Sequence, residues 1–306
     1  MTDYPNNIST KLEVIKASEI TPKEVRWLWY PYIPFGKVTL LQDDPGDGKS
    51  KLMLSLAALL SKGAPFSFTV IYQTTEDDAD DTVVPRFNSA GGDGDRLIFI
   101  KEYEKGLTFG DDRIRETVEK YNANLLILNP MSSYIGDTCS MNNANETRAE
   151  FNHLIAVAKD TGCAIVIIAH MNKAKDTSPL YRTNGSIDIA GAARSILAVT
   201  RTANKQIPAE RYLVQVKSNL APMGSAILFE VADKGVNFLD KLELSAEDAF
   251  SASAPRMGRP NASEEAATDF IRSLLAGGDE NGGRNLERYP SRENLRRGSA
   301  ENRATQ

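Results

Sequence analysis

An α/β fold, with a central and mostly parallel twisted sheet flanked by helices, is what this sequence predicts. Three observations carry that expectation. The β-rich run Val38-Thr39-Leu40-Leu41-Gln42 breaks at the Pro/Gly-bearing stretch Asp43 to Gly48, then resumes as the apolar run Leu52 to Leu60. Short apolar runs next alternate with helical stretches, which implies right-handed βαβ crossovers and parallel strands. From residue 195 the apolar runs follow one another through short turns instead, so antiparallel strands are expected to close the C-terminal edge.

In order, residues 1–24 form a polar lead-in. Trp27, Trp29, Tyr30, Tyr32 and Phe35, stiffened by Pro31 and Pro34, feed the first core strand. These rings read as packing against the sheet edge, with stacking near a nucleotide base or a neighbouring subunit as the alternative. After the helix at 52–60 come strands at Phe68 to Thr74, Leu97 to Ile100 and Leu125 to Leu128, with a helix near Asp111 to Tyr121. The acidic run Asp77 to Asp81 reads as carboxylates opposing the dipole of the next helix. A helix from Glu146 to Lys159 and the continuous apolar strand Cys163 to Ala169 follow, the latter too apolar to be half-exposed. His153, within that helix, reads as a solvated or capping histidine. A small-residue helix, Ile187 to Ala193, precedes the closing strands Ser195 to Thr200, Tyr212 to Val216 and Ala226 to Val231. The core domain therefore spans 25–242. Ala, Ser, Pro and Gly dominate 243–263, which reads as a linker. Residues 264–306 hold a short amphipathic helix, Glu264 to Leu275, and then a tail with six arginines against three glutamates over 284–306 and little apolar periodicity.

The chemistry concentrates at Asp43-Asp44-Pro45-Gly46-Asp47-Gly48-Lys49-Ser50. A strand, a glycine-broken loop and a helix opening with Lys and Ser is the layout of a P-loop, whose backbone N–H groups wrap a polyphosphate. Pro45, Gly46, Asp47, Gly48, Lys49, Ser50 and Lys51 are then the nucleotide-binding residues, with Lys49 on the terminal phosphates and Ser50 on Mg²⁺. Glu76 and His170 each lie just past a strand, at the carboxyl edge where parallel sheets present their sites. Asn129 ends the strand 125–128, where a P-loop enzyme carries an Asp holding a metal-bound water.

Two residues depart from the full pattern. Asp43 stands where the turn prefers glycine, and it adds a charge near the polyphosphate. At about 8 Å and an effective dielectric of about 20, that charge costs roughly 2 kcal/mol, or about 30-fold in affinity. Asn129 keeps the shape of an aspartate without its charge, so hydrolysis should suffer more than binding.

The formal net charge of −5 argues against a globally basic nucleic-acid binder and leaves DNA contact to a local patch. Cys139 and Cys163 have no metal-ligand spacing around them and read as reduced thiols. Neither a signal core nor a run of 18 apolar residues is visible, so a cytoplasmic protein with no membrane partner is expected.

Read together, Asp44 to Ser50, Thr74-Thr75-Glu76-Asp77-Asp78, Leu128-Asn129-Pro130, Ala169-His170-Met171-Asn172-Lys173, Gly185-Ser186-Ile187, Gly191-Ala192-Ala193-Arg194-Ser195 and Val216-Lys217-Ser218-Asn219-Leu220 form an ordered set. With them the chain resembles the RepA-like, AAA-type ATPases of plasmids, phages and integrative elements, over roughly residues 25 to 240. That resemblance implies a RecA/DnaB-type core and a hexameric ring with ATP sites between subunits. It also implies ATP and Mg²⁺ as cofactors and coupling to single-stranded DNA in replication, with an initiator or primase as further partner. On it, Glu76 aligns the attacking water, Asn129 takes the metal-proximal position together with Ser50, and His170 senses the γ-phosphate. Arg194 and Lys217 are the candidates for a cation acting in trans. The helix at 264 matches the start of a truncated DNA-binding module. Asp43 and Asn129 keep a second reading open, a catalytically impaired nucleotide-binding subunit that regulates or assembles. A recombinase-type filament former is a third, for which the short lead-in offers no clear subunit-linking segment.

Overall fold

The apolar runs of this chain become strands because the fold covers both of their faces. The computed structural model describes residues 14–44, 46–62, 67–102, 106–136, 144–171, 180, 187–202, 204 and 206–251. The elements are β1 (Trp27–Trp29), β2 (Ile33–Pro34), β3 (Val38–Asp43), α1 (Lys49–Ser61), β4 (Val70–Thr74), α2 (Val84–Ser89), β5 (Leu97–Ile98), α3 (Asp112–Tyr121) and β6 (Leu125–Asn129). They continue with α4 (Ala144–Thr161), β7 (Ala164–His170), α5 (Ile187–Ala192), β8 (Ser195–Arg201), β9 (Glu210–Ser218), β10 (Ala226–Ala232), β11 (Gly235–Leu242) and α6 (Ala246–Phe250).

Among the described residues the main sheet has nine strands in the order β11-β10-β9-β8-β3-β7-β6-β4-β5. Strands β8, β3, β7, β6, β4 and β5 run parallel, and β9, β10 and β11 extend the edge antiparallel. Alternation along the strands sends neighbouring residues to opposite cores. Leu41, Tyr72, Ile127 and Val166 meet Leu52, Leu56 and Leu60 of α1 on one face. Leu40, Ile71, Leu126 and Ile167 meet Ile114 and Val118 of α3 and Phe151, Leu154 and Val157 of α4 on the other. This two-sided burial is why the sequence shows continuous apolar runs rather than alternation. It is the RecA-like P-loop NTPase arrangement, with the loop-bearing strand in mid-sheet.

Local chemistry sets the helix ends. Asp111 caps α3 by accepting from Arg113 N at 3.0 Å, and Asn122 ends the helix in the left-handed region at φ 49°. At the acidic stretch the expected capping is not made by side chains: Asp78 precedes a π-turn, Ala79–Val83, without a side-chain cap bond. Asp80 and Asp81 do sit in its first turn, where they oppose the dipole.

The aromatic lead-in packs as expected. Trp29 and Tyr32 are buried, their ring centroids lie 4.9 Å apart, and Trp29 meets Phe238 of β11 edge-on at 6.1 Å. The Tyr32 hydroxyl donates to Ser225 O at 2.7 Å, fastening this segment to the antiparallel edge.

Three expectations are adjusted. Strand β11 extends the closing sheet beyond the strands read from the sequence. The start of the expected linker is ordered: Ala246–Phe250 forms α6, with Ala246 and Ala249 buried against Ala198, Tyr212, Val214 and Leu228. The physical reason is that β8 to β10 would otherwise leave an apolar face open to water, and two alanines on a short helix cover it. His153 is half-buried rather than fully solvated, with a buried Nε2 that has no hydrogen-bond partner among the described residues. Cys163 is buried and free, its thiol pushed up by burial. Pro45, Cys139, the loop containing Asn172 to Pro179, the helix at 264–275 and the basic tail lie outside the described residues. Among the described residues no helix is long and apolar enough to cross a membrane.

Candidate nucleotide site

Four parallel strands end at one place, with Asp43 on β3, His170 on β7, Asn129 on β6 and Thr74 on β4. Register brings them level in pairs, Asp43 beside His170 and Thr74 beside Asn129. The carboxyl ends of parallel strands meet helix N-termini there, which is where α/β sheets bind ligands. Helix α1 opens from the same point, its first turn closed by Leu52 N to Gly48 O at 2.9 Å.

The loop before α1 needs its glycines. Gly46 and Gly48 have φ of 85° and 98°, in the left-handed region that side chains with a Cβ avoid. A Cβ on Gly48 would also lie 2.9 Å from Val231 Cγ2 of β10.

The cavity above the loop has a volume of about 350 Å³ and is lined by Asp43, Gly46, Gly48, Lys49, Ser50, Lys51, Glu76, Arg86, Asn129, His170 and Val231. Every sequence-predicted catalytic residue is therefore in one place. Lys49 Nζ contacts the Asp43 carboxylate and lies 3.3 Å from His170 Nδ1; His170 Nε2 lies 3.2 Å from Glu76 Oε1. A chain of polar groups, Asp43, Lys49, His170, Glu76, thus crosses the cavity floor. Burial pushes the Lys49 ammonium down to about 8, while the Glu76 charge acts the other way. The Asp43 contact also favours the charged form.

Asn129 is buried, with Nδ2 3.4 Å from Ser50 Oγ and 3.5 Å from Thr74 Oγ1. The strand-end position expected beside Mg²⁺ is thus occupied by a neutral amide touching the Ser50 hydroxyl. Beneath it the Tyr72 hydroxyl is buried near Ser50 and Asn129, and burial pushes its ionisation upward. Asp43 is fully buried, and its charge faces Lys49.

Lys51, expected among the nucleotide-binding residues, lines the cavity and also donates to Ala232 O at 2.7 Å, which ties α1 to the end of β10. Asp47 does not face the cavity, as its side chain turns to Arg201 and Arg211. Arg194 and Lys217 lie at the opposite end of the sheet: Ile196, near the start of β8, pairs with Lys217. Lys217 Nζ donates to Ala190 O at 2.6 Å and Ala193 O at 3.0 Å, capping α5, and Arg194 is exposed. In the β3–β8 register Ser195 sits level with Thr39, and Ile196, the partner of Lys217, sits level with Leu40, so three to four residues of β3, roughly 10–13 Å at strand rise, lie between that end and Asp43.

Sequence reading passed over Thr74, whose hydroxyl accepts from Glu76 N at 3.2 Å and Asp77 N at 3.4 Å and so turns the chain at Glu76. It also passed over Arg86, which lines the cavity and lies 3.4 Å from Asp77. Thr74 had a signal, its place at a strand end; Arg86 had none, being one exposed arginine on a short helix.

Comparison with known proteins agrees with this fold. DNA repair protein RadA of Halalkalibacterium halodurans is 27% identical over 140 residues, covering 45% of this chain and 28% of that protein. The chain thus matches under a third of that relative's length. The AAA domain family matches residues 4–176, more than half of the chain and all four strand ends of the site. This chain belongs to the AAA domain family of P-loop ATPases.

Proposed function

We propose that the protein binds ATP with Mg²⁺ and hydrolyses it as a DNA-dependent, helicase-like motor of the RepA type, working in the replication of a mobile element. The observation that carries this reading is the convergence of Lys49, Ser50, Glu76, Asn129 and His170 on one cavity of about 350 Å³ at a helix N-terminus. In it Lys49 binds the terminal phosphate, Glu76 orients the attacking water and His170, touching both, reports the phosphate to the carboxylate. Ser50 and Asn129 suit a Mg²⁺ that retains waters and phosphate oxygens. No group of three acidic, His or Cys side chains gathers into a metal site among the described residues, so such an ion would arrive with the nucleotide. When bound, Mg²⁺ supplies charge neutralisation on the phosphates.

Arg194 and Lys217 fit action in trans, since they sit toward the end of the sheet away from their own P-loop. That favours a homo-oligomer, a hexamer on the RepA reading, with the neighbour's nucleotide at each interface. Similarity to a DNA repair protein supports DNA as the partner, and single-stranded DNA, an initiator and a primase are the partners of that reading.

A second reading, an impaired regulatory or assembly subunit, is favoured by the Asp43–Lys49 contact. An incoming phosphate must take Lys49 from an internal anion, and Asn129 cannot accept from a metal's water with a full charge. The test is ATP hydrolysis with and without single-stranded DNA, for the natural sequence and for Asp43→Gly with Asn129→Asp. ATP binding with slow turnover is expected, and the double substitution should raise turnover. Unchanged turnover would remove the assigned effect of both departures, and turnover that DNA never stimulates would favour the regulatory subunit.

A further inference from the structure

Asp47 sits in the middle of the phosphate-wrapping loop, yet it does not line the cavity. It is buried, and its Oδ1 lies 2.5 Å from Arg201 Nε and 4.0 Å from Arg211 Nε, while its backbone carbonyl accepts from Arg211 Nε at 3.1 Å. The two arginines are direct cross-strand partners at the end of β8 and β9. Like charges directly opposite in a ladder repel, so this pair needs an anion between them. Arg211 is largely fixed, 8% exposed and also donating to Pro208 O and Glu210 O. Burial lowers its pKa, with the Asp47 charge opposing that shift and Arg201 adding to it. Arg201, 61% exposed, is the movable arm.

We propose that Arg201 and Arg211 form a positioning fork that turns the Asp47 carboxylate away from the nucleotide's phosphates and fixes the loop from Gly46 to Gly48. Through it the antiparallel edge, which lies beyond the family match at 4–176, sets the phosphate affinity of the site. Val231 against Gly48 and Lys51 on Ala232 brace the same loop from β10. Neither arginine touches the phosphates; both act through Asp47. The inference rests on the nucleotide-binding reading above.

The experiment titrates a fluorescent ADP analogue with Mg²⁺ against the full chain, Arg201→Gln, Asp47→Asn and the double variant, at low salt. Amide hydrogen exchange of residues 46–50 is followed alongside. Arg201→Gln should weaken binding about fivefold, an effect kept small by the exposure of this arginine, because the freed carboxylate then faces the phosphates. It should also speed exchange in the loop. The double variant should bind at least as tightly as the full chain, since no carboxylate remains to be held back. A double variant as weak as Arg201→Gln overturns the proposal, for the arginine then acts on the nucleotide directly. Unchanged binding and exchange in Arg201→Gln overturn it as well. Absence of binding by the unsubstituted chain would instead refute the nucleotide reading, and the fork with it.

Discussion

Lys49 is held by two groups that compete with a phosphate, Asp43 and His170, and burial brings its ammonium down to about 8. The sign follows directly: a lysine whose folded pKa lies below its ordinary 10.5 loses its proton, and with it its hold on phosphate, as pH rises through about 8. Nucleotide affinity should therefore be flat below pH 8 and weaken by up to about tenfold per unit above it. Fluorescence titration across that range measures this, and Lys49→Arg, which stays charged, should flatten the upper limb. A pH-independent affinity in the natural protein would contradict the burial argument. For the fold itself the sign is opposite, because the buried charge is a cost that deprotonation relieves. This residue was legible from the sequence as a candidate phosphate ligand because a strand precedes the Gly-Lys-Ser and an apolar helix follows it; the tripeptide alone is weak evidence, since it occurs by chance in many surface loops. Occupation of Lys49 by Asp43 was not legible, because a charge standing near the loop and a charge touching the lysine have the same sequence.

Among the elements, α1 carries both the site and much of one core. Leu52, Leu56 and Leu60 are buried beneath β3 and β7, while Lys49 and Ser50 open the same helix toward the cavity. Truncating Leu56, which has no exposed surface, should cost about 2–5 kcal/mol by lost burial and the cavity left behind. Chemical denaturation checks that figure, and a loss under about 1 kcal/mol would show that the neighbours collapse into the space. Strands β3 to β7 were readable from their continuous apolar runs, and α3 and α4 from their periodicity. Helix α6 had a local signal, Ser245 with its hydroxyl accepting from Asp248 N at 3.1 Å. Surrounding Ala, Ser and Pro masked it, because the helix is stabilised by the apolar face it covers rather than by its own residues.

On the scale of the whole molecule, both ends of the sheet present cations. The P-loop end gathers Lys49, Lys51 and Arg86 with Asp43, Glu76 and His170, and the far end presents Arg194 and Lys217. If the proposed ring forms, Lys49→Ala and Arg194→Ala should each abolish hydrolysis alone and recover part of it when mixed. Recovery is expected because one variant then offers an intact loop to the other's intact arginine. Steady-state turnover across mixing ratios is the measurement, and a strictly additive, dead mixture would place Arg194 outside the site. Lys217 is the weaker candidate, since its ammonium already holds two carbonyls of α5 and its end.

By itself the sequence determined the strand–loop–helix that cradles phosphate, the parallel core around it and the identity of Lys49, Ser50, Glu76, Asn129 and His170 as candidate site residues. Those features are local, written in glycine placement, apolar periodicity and positions just past strand ends. Tertiary structure alone decided which charge meets which: Asp43 on Lys49, Asp47 on Arg201 and Arg211, Lys51 on Ala232, Lys217 on α5. The Asp47 and Lys51 pairings join residues more than 150 positions apart in the chain, and the arginine fork depends on the register of β8 against β9. A one-residue slip there would put the two arginines on opposite faces of the sheet, and no pattern within either strand fixes that pairing without the loop it holds.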